Sequence, residues 1–164
     1  MEQNYIYSFS QIEDKVKALH ETNTEAAAAV AISWLGLSRD ELKTLRVSDY
    51  NSTMRMLHTA GRVVYVREDT IADMLKGICE KAPEYSMGFF ISDVNSAYEA
   101  AEKQGLSPIS VLKMRYFYEK HSAKLSGEPE DRVFLKEILR SIGESEADME
   151  KQFAEYENGA PAKI

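Results

Sequence analysis

Trp34-Leu35-Gly36-Leu37-Ser38-Arg39-Asp40-Glu41-Leu42-Lys43-Thr44-Leu45-Arg46-Val47-Ser48-Asp49-Tyr50 is the stretch on which the fold of this chain turns. It reads as the end of an apolar helix, a glycine turn and a short second helix. Ser38 followed three residues later by Glu41 is a capping box, in which each side chain satisfies an orphan backbone N–H. Leu42 and Leu45 fall on one helical face, and Lys43 and Arg46 fall elsewhere.

Working outward toward the N-terminus, the alanine-rich segment ending at Trp34 is apolar nearly all round and belongs in the middle of a core. Thr24 is its expected cap. Ser10 and Glu13 form a second capping box, with Ile12, Val16 and Leu19 at helical spacing, so a helix over residues 10–20 is expected. On the other side, turn formers at Asp49-Tyr50-Asn51-Ser52 lead into the main β signal. Residues 54–57 and 62–66 read as a hairpin joined by His58-Thr59-Ala60-Gly61.

The remainder reads as helices. Glu68-Asp69-Thr70 starts one carrying Ile71, Met74, Leu75 and Ile78, and Pro83 ends that region. After the apolar run 87–91, Ser92 or Asp93 caps a helix to about Gln104, stopped by Gly105. Ser107-Pro108 opens a long helix with Leu112, Tyr116 and Phe117 on one side. Gly127-Glu128-Pro129 breaks the chain before a helix with Phe134, Leu135, Ile138, Leu139 and Ile142, which Gly143 stops. A last polar helix holds Met149, Phe153 and Tyr156. The expected fold is mainly α with a small antiparallel β-hairpin, one domain over residues 1–164. Order is expected from about residue 8 to 157, with a flexible tail over 158–164.

Composition bounds the function. The chain has 164 residues, enough for one domain with a proper core, and 44% hydrophobic with 29% charged content is ordinary for a soluble globular protein. The single Cys79 excludes an intrachain disulfide and fits a reducing cytoplasm as a buried structural thiol. No signal peptide is visible, and the longest apolar run, 26–37, is too short for a membrane span of roughly 20 residues. Three isolated histidines and one cysteine have no metal-ligand spacing, and no phosphate-cradling glycine loop is present, so no metal or cofactor is expected. Net charge is −7, which argues against nucleic acid as a partner. The imbalance is concentrated at residues 128–157, with ten acidic and four basic residues, beside a nearly neutral body.

Gly36 through Glu41, Leu42, Leu45 and Arg46 to Asp49 resembles the first conserved box of the tyrosine recombinase (phage integrase) catalytic domain, G-L-R-x-x-E-L-x-x-L-R-x-x-D. The order of helices, small sheet and further helices follows that domain over about residues 8 to 157. The resemblance implies a tyrosine attacking a DNA phosphate, two arginines on the non-bridging oxygens, a hairpin lysine and two histidines or related donors. This chain departs from that set. Ser38 stands at the first arginine, and Arg62 is the nearest cation to the hairpin lysine. The second box, H-x-L-R, is Leu112-Lys113-Met114-Arg115, which keeps the arginine as Arg115 and replaces the histidine with Leu112. The third box, L-G-H, is Ile142-Gly143-Glu144, which puts a carboxylate where a donor should face phosphate. Phe153 falls at the nucleophile, with Tyr156 one helical turn beyond.

The expectation is a catalytically inactive recombinase-like domain, from a phage or mobile element, with a DNA-binding or regulatory role in the cytoplasm. Duplex DNA would meet Arg39, Lys43, Arg46, Arg62, Lys113, Arg115 and Lys120. The alternative is a protein-interaction module without DNA, self-associating or modulating another recombinase through its C-terminal helix. A minor alternative is residual strand transfer with Tyr156 as nucleophile and Arg115 as phosphate contact.

Overall fold

The computed structural model of the chain describes residues 8–59, 61–81 and 88–158, apart from the side chain of Tyr156. Its elements are α1 (Glu13–Thr22), α2 (Thr24–Trp34), α3 (Arg39–Thr44), β1 (Tyr50–Asn51), β2 (Met56–Thr59), β3 (Arg62–Tyr65), α4 (Asp69–Lys81), α5 (Val94–Lys103), α6 (Pro108–Ser126), α7 (Arg132–Ile142) and α8 (Glu146–Glu157). The mainly helical class with a small antiparallel sheet is as the sequence leads one to expect.

α2 is the axis of the core. Every residue from Ala26 to Trp34 is buried, and α1, α4, α5 and α6 pack around it. Its run of alanines lets those helices approach closely on several sides. Trp34 closes the helix with Phe9 at a ring-centroid distance of 6.0 Å and Tyr118 at 5.4 Å. Full burial of each large side chain stabilises the fold by about 1.5–3 kcal/mol.

Gly36 ends α2 in a left-handed conformation, φ +92°. The Gly36 N–H donates to Ser33 O at 2.9 Å and the Leu37 N–H to Ile32 O at 3.5 Å, the two bonds of a Schellman stop. A Cβ at this position would lie 3.0 Å from the Phe134 ring. Gly36→Ala is therefore expected to destabilise the protein by about 2–3 kcal/mol, from backbone strain and displacement of that ring. Urea denaturation of the two proteins checks this.

Two expected caps are corrected. Asn23, not Thr24, caps α2: its Oδ1 accepts from the Ala26 N–H at 3.0 Å, and Thr24 is the first helical residue. Asn is at least as good a cap as Thr, and here its own N–H also closes α1 onto Leu19 O at 2.7 Å. Ser10 caps nothing. It lies in a 3₁₀ turn, Phe9–Gln11, with its hydroxyl 2.6 Å from that of Ser8, and α1 starts later, at Glu13. Caps do form at Ser38, Asp93, Ser107 and Asp131.

The sheet has the order β1-β2-β3. β2 and β3 pair antiparallel in the register Met56↔Tyr65, Leu57↔Val64, His58↔Val63 and Thr59↔Arg62. His58 and Thr59 thus belong to β2 rather than to the loop, and Ala60 lies outside the described residues. Gly61 has a positive φ of 81°. β1 pairs through Tyr50↔Leu57 and Asn51↔Met56; two residues were too few to announce a strand. Residues 88–90 bind alongside the segment after α3, with Val47 N–H to Gly88 O at 3.0 Å and Phe90 N–H to Leu45 O at 3.2 Å. Pro83 and the tail 159–164 lie outside the described residues, while the Asn158 N–H still bonds Ala154 O.

Candidate functional site

At the recombinase-like first box, Ser38 is a helix cap. Its Oγ accepts from the Glu41 N–H at 3.1 Å, and Glu41 Oε1 accepts from the Ser38 N–H at 3.1 Å. Glu41 does more than close the box. Arg62, arriving on β3, donates through Nη2 to Glu41 Oε1 at 2.8 Å and Oε2 at 3.0 Å, through Nε to Oε2 at 3.2 Å, and through Nη2 to Gly36 O at 3.1 Å. Thr59 adds its hydroxyl at 3.2 Å. Burial alone would push the Glu41 carboxyl up; the Arg62 and Ser38 hydrogen bonds and the Arg62 charge outweigh it and hold it below the usual carboxylate range.

Arg115 is 8% exposed. Its Nη1 donates to Trp34 O at 2.9 Å and its Nε to Glu119 Oε1, four residues along α6, at 2.8 Å. The guanidinium carbon sits 4.9 Å from the Phe134 ring centroid, 5.2 Å from Trp34 and 5.8 Å from Tyr118. A buried guanidinium is stable only when its charge and donors are answered, and here a carboxylate, a carbonyl and three ring faces do so. The two arginines therefore bind main-chain carbonyls two residues apart, at Trp34 and Gly36. The Trp34 carbonyl is one that the end of α2 leaves without a helical partner, where positive charge is favoured, and the Gly36 carbonyl lies in the turn just beyond it.

On α6 the lysines face α8 and the loops on either side of α7. Lys113 Nζ donates to Glu144 Oε1 at 2.7 Å, and Gln152 Nε2 donates to Glu144 Oε2 at 2.9 Å. The Lys113 hydrogen bond holds the Glu144 carboxyl below its ordinary range. Lys120 is 7% exposed and pairs with Glu150 and, at 3.2 Å, with Glu130. Burial lowers the Lys120 ammonium's proton affinity, but hydrogen bonds to Glu150 and Glu130 outweigh it and raise the net value. Lys124 meets Glu157 at 2.8 Å. With Met149 and Phe153 buried, and Phe153 at 6.0 Å from Phe117, α8 is seated on its own domain. The carboxylate at position 144 has a lysine, not a phosphate, to face.

The expected basic surface thus divides among three surroundings. Arg62 and Arg115 brace the end of α2, and Lys113 and Lys120 clasp α8. Arg39, Lys43 and Arg46, at i, i+4 and i+7, remain along α3 and just beyond it. Arg39 is exposed above Tyr98, 4.4 Å from the ring centroid; Lys43 is exposed; Arg46 is half-buried against Phe89 at 5.2 Å. Leu112, expected at the family's histidine, is fully buried, and Phe153, expected at the nucleophile, is core. Tyr156 falls in the last turn of α8, with its side chain outside the described residues.

The partners of these cations were the part missed in the sequence. Glu119 at i+4 from Arg115 carries a local signal, since that spacing favours an ion pair. Glu41 was legible only as a cap. Phe134, which covers Arg115 and the Gly36 turn, has no local signal at all. Among the described residues no group of three or more potential metal ligands is assembled, and no helix is long and apolar enough to cross a membrane.

No protein-family profile matches the chain, and no curated protein sequence matches it. Among solved structures it is similar to one titled "Crystal structure of XerA recombinase", with a TM-score of 0.57 and 15% identity. The match covers 90% of this chain and spans 58% of the length of that one. At this identity the likeness speaks to architecture, and the chain has a tyrosine-recombinase-like fold.

Proposed function

We propose that this chain is a recombinase-like domain without strand-transfer activity, serving a phage or mobile element as a DNA-binding or regulatory module. The observation that carries the reading is the internal commitment of Arg62 and Arg115. Each is bonded to a carboxylate and to a carbonyl of the Trp34–Gly36 turn through two of its three guanidinium nitrogens, which commits most of its donors and its charge inside the fold. Stabilising the negative charge of phosphoryl transfer needs donors aimed at the place where that charge develops. A serine cap, a buried leucine and a lysine-paired glutamate occupy the other positions.

DNA contact in this reading runs through Arg39, Lys43 and Arg46. Three phosphate contacts give a log–log salt slope of about −3, so affinity falls only about 40-fold between roughly 50 and 200 mM salt. Seven contacts would give a slope near −6 and a loss of several thousandfold. Fluorescence anisotropy with labelled duplex reads the slope directly. The shallow slope, abolished by Lys43→Ala with Arg46→Ala, supports the α3 surface; a slope near −6 overturns it. The chemical half of the reading is tested on a nicked suicide duplex. No covalent protein–DNA adduct is expected, and an adduct that disappears in Tyr156→Phe would defeat the proposal.

A second reading, a protein-interaction module without DNA, is supported by the acidic balance of residues 128–157. No binding of duplex at low salt would favour it. The seating of α8 on its own α6 weighs against α8 as the segment that reaches another subunit.

A further inference from the structure

The exposed apolar side chains of the described residues are not scattered evenly. Val63 is 41% exposed, Tyr65 61% and Val133 75%, and all three line one cleft of about 320 Å³ between β3 and the start of α7. Isolated exposed apolar residues are ordinary, whereas a cluster around a groove calls for an occupant. β3 is also the last strand of the sheet among the described residues. Alternate residues along an antiparallel strand direct both N–H and C=O toward its unpaired side. Apolar side chains and open main-chain groups therefore meet at the same place.

The charges around the cleft divide by wall. On the strand side stands exposed Arg67, which makes no hydrogen bond or ion pair among the described residues. On the α7 side stand Asp131 and Glu137, whose carboxylates make no ion pair there either. Arg62 and Arg115 also line the cleft, but Glu41 and Glu119 already neutralise them. A face with a cation on one wall and carboxylates on the other complements itself when a two-fold axis turns one copy onto another.

We propose that the β3–α7 cleft is an association surface for a second copy of this chain. The two β3 strands run antiparallel across a two-fold axis near Val64. Val63 of each copy lies opposite Tyr65 of the other, a β-branched–aromatic cross-strand pair of the kind that stabilises sheets. Arg67 of each copy meets the acidic α7 wall of the other. The surface uses neither α8 nor any of the α3 cations, so the inference goes beyond the DNA-binding reading and does not depend on it.

Sedimentation velocity on the full chain, from micromolar to near-millimolar protein, provides the test. A concentration-dependent dimer is expected. Tyr65→Lys and Arg67→Glu are each expected to weaken it more than about tenfold, while circular dichroism remains that of the parent. Glu137→Arg added to Arg67→Glu is expected to restore it. A monomer throughout the range overturns the proposal, including the case in which a foreign segment fills the cleft. A dimer unaffected by Arg67→Glu but dissolved by changes on α8 overturns it as well. DNA binding measured on the same variants stays unchanged, which separates this failure from failure of the DNA-binding reading.

Discussion

Arg115→Ala is expected to lower the free energy of unfolding by about 3–5 kcal/mol, the range for removing one partner of a buried ion pair. The substitution strips Trp34 O of its donor, leaves the Glu119 carboxylate without its cation, and opens space among Trp34, Tyr118 and Phe134. Arg115→Lys does not rescue it fully, because an ammonium cannot reach the carbonyl and the carboxylate with the planar fork of a guanidinium. Chemical denaturation checks the size. A loss below about 1 kcal/mol, the level of an exposed pair, would mean that the guanidinium is solvated and available to a ligand. Few substitutions in this chain should cost more.

The second large effect belongs to Arg62 and Glu41, and it depends on pH. Arg62→Ala is expected to cost about 2–4 kcal/mol at neutral pH, since it leaves a half-buried carboxylate with only Thr59 and the Ser38 N–H as donors. Glu41 titrates below its ordinary value of 4.5 in the folded protein. A depressed folded value means that the stabilisation is fully present above about pH 4.5 and is lost as pH falls through the folded value. The gap between parent and Arg62→Ala should therefore close in acid, below the ordinary glutamate value. Urea denaturation of both proteins at neutral and acid pH checks this. Glu144, held low by Lys113, adds acid lability in the same direction at α8, and the parent–Arg62→Ala difference cancels that shared contribution. A gap independent of pH would show that the pair contributes by packing rather than by charge.

What could be read in the chain without coordinates was local. The Ser38–Glu41 box, the Gly36 stop, the buried alanine helix and the Ser107-Pro108 start each follow from residues within one or two turns of each other, and each formed as expected. The hairpin was placed correctly, but its turn was drawn too wide, because His58 and Thr59 suit a strand end as well as a loop. Thr24 and Ser10 were credited with caps because both have the right hydroxyl; backbone geometry gave one role to Asn23 and drew the other into a 3₁₀ turn. The candidate site was legible as a set of positions and not as a set of partners. Whether Arg62 faces DNA or Glu41 depends on a contact across 21 residues. Whether Arg115 faces DNA or Trp34 O depends on one across 81. Contacts of that range leave no periodicity in a sequence. The cross-braces formed by Arg62 and Arg115 were therefore not visible in the sequence.

The central claim is that Arg62 and Arg115 hold the fold and do not meet phosphate. Nuclear magnetic resonance of the arginine Nε–H groups during titration with duplex DNA at low salt tests it most directly. Both Nε–H groups donate to carboxylates, at 3.2 Å for Arg62 and 2.8 Å for Arg115. Their resonances are expected to be protected from solvent exchange and to stay in place as DNA is added, while those of Arg39 and Arg46 move. Displacement of the Arg62 and Arg115 signals in step with DNA binding would contradict the account and return both residues to a phosphate-binding role.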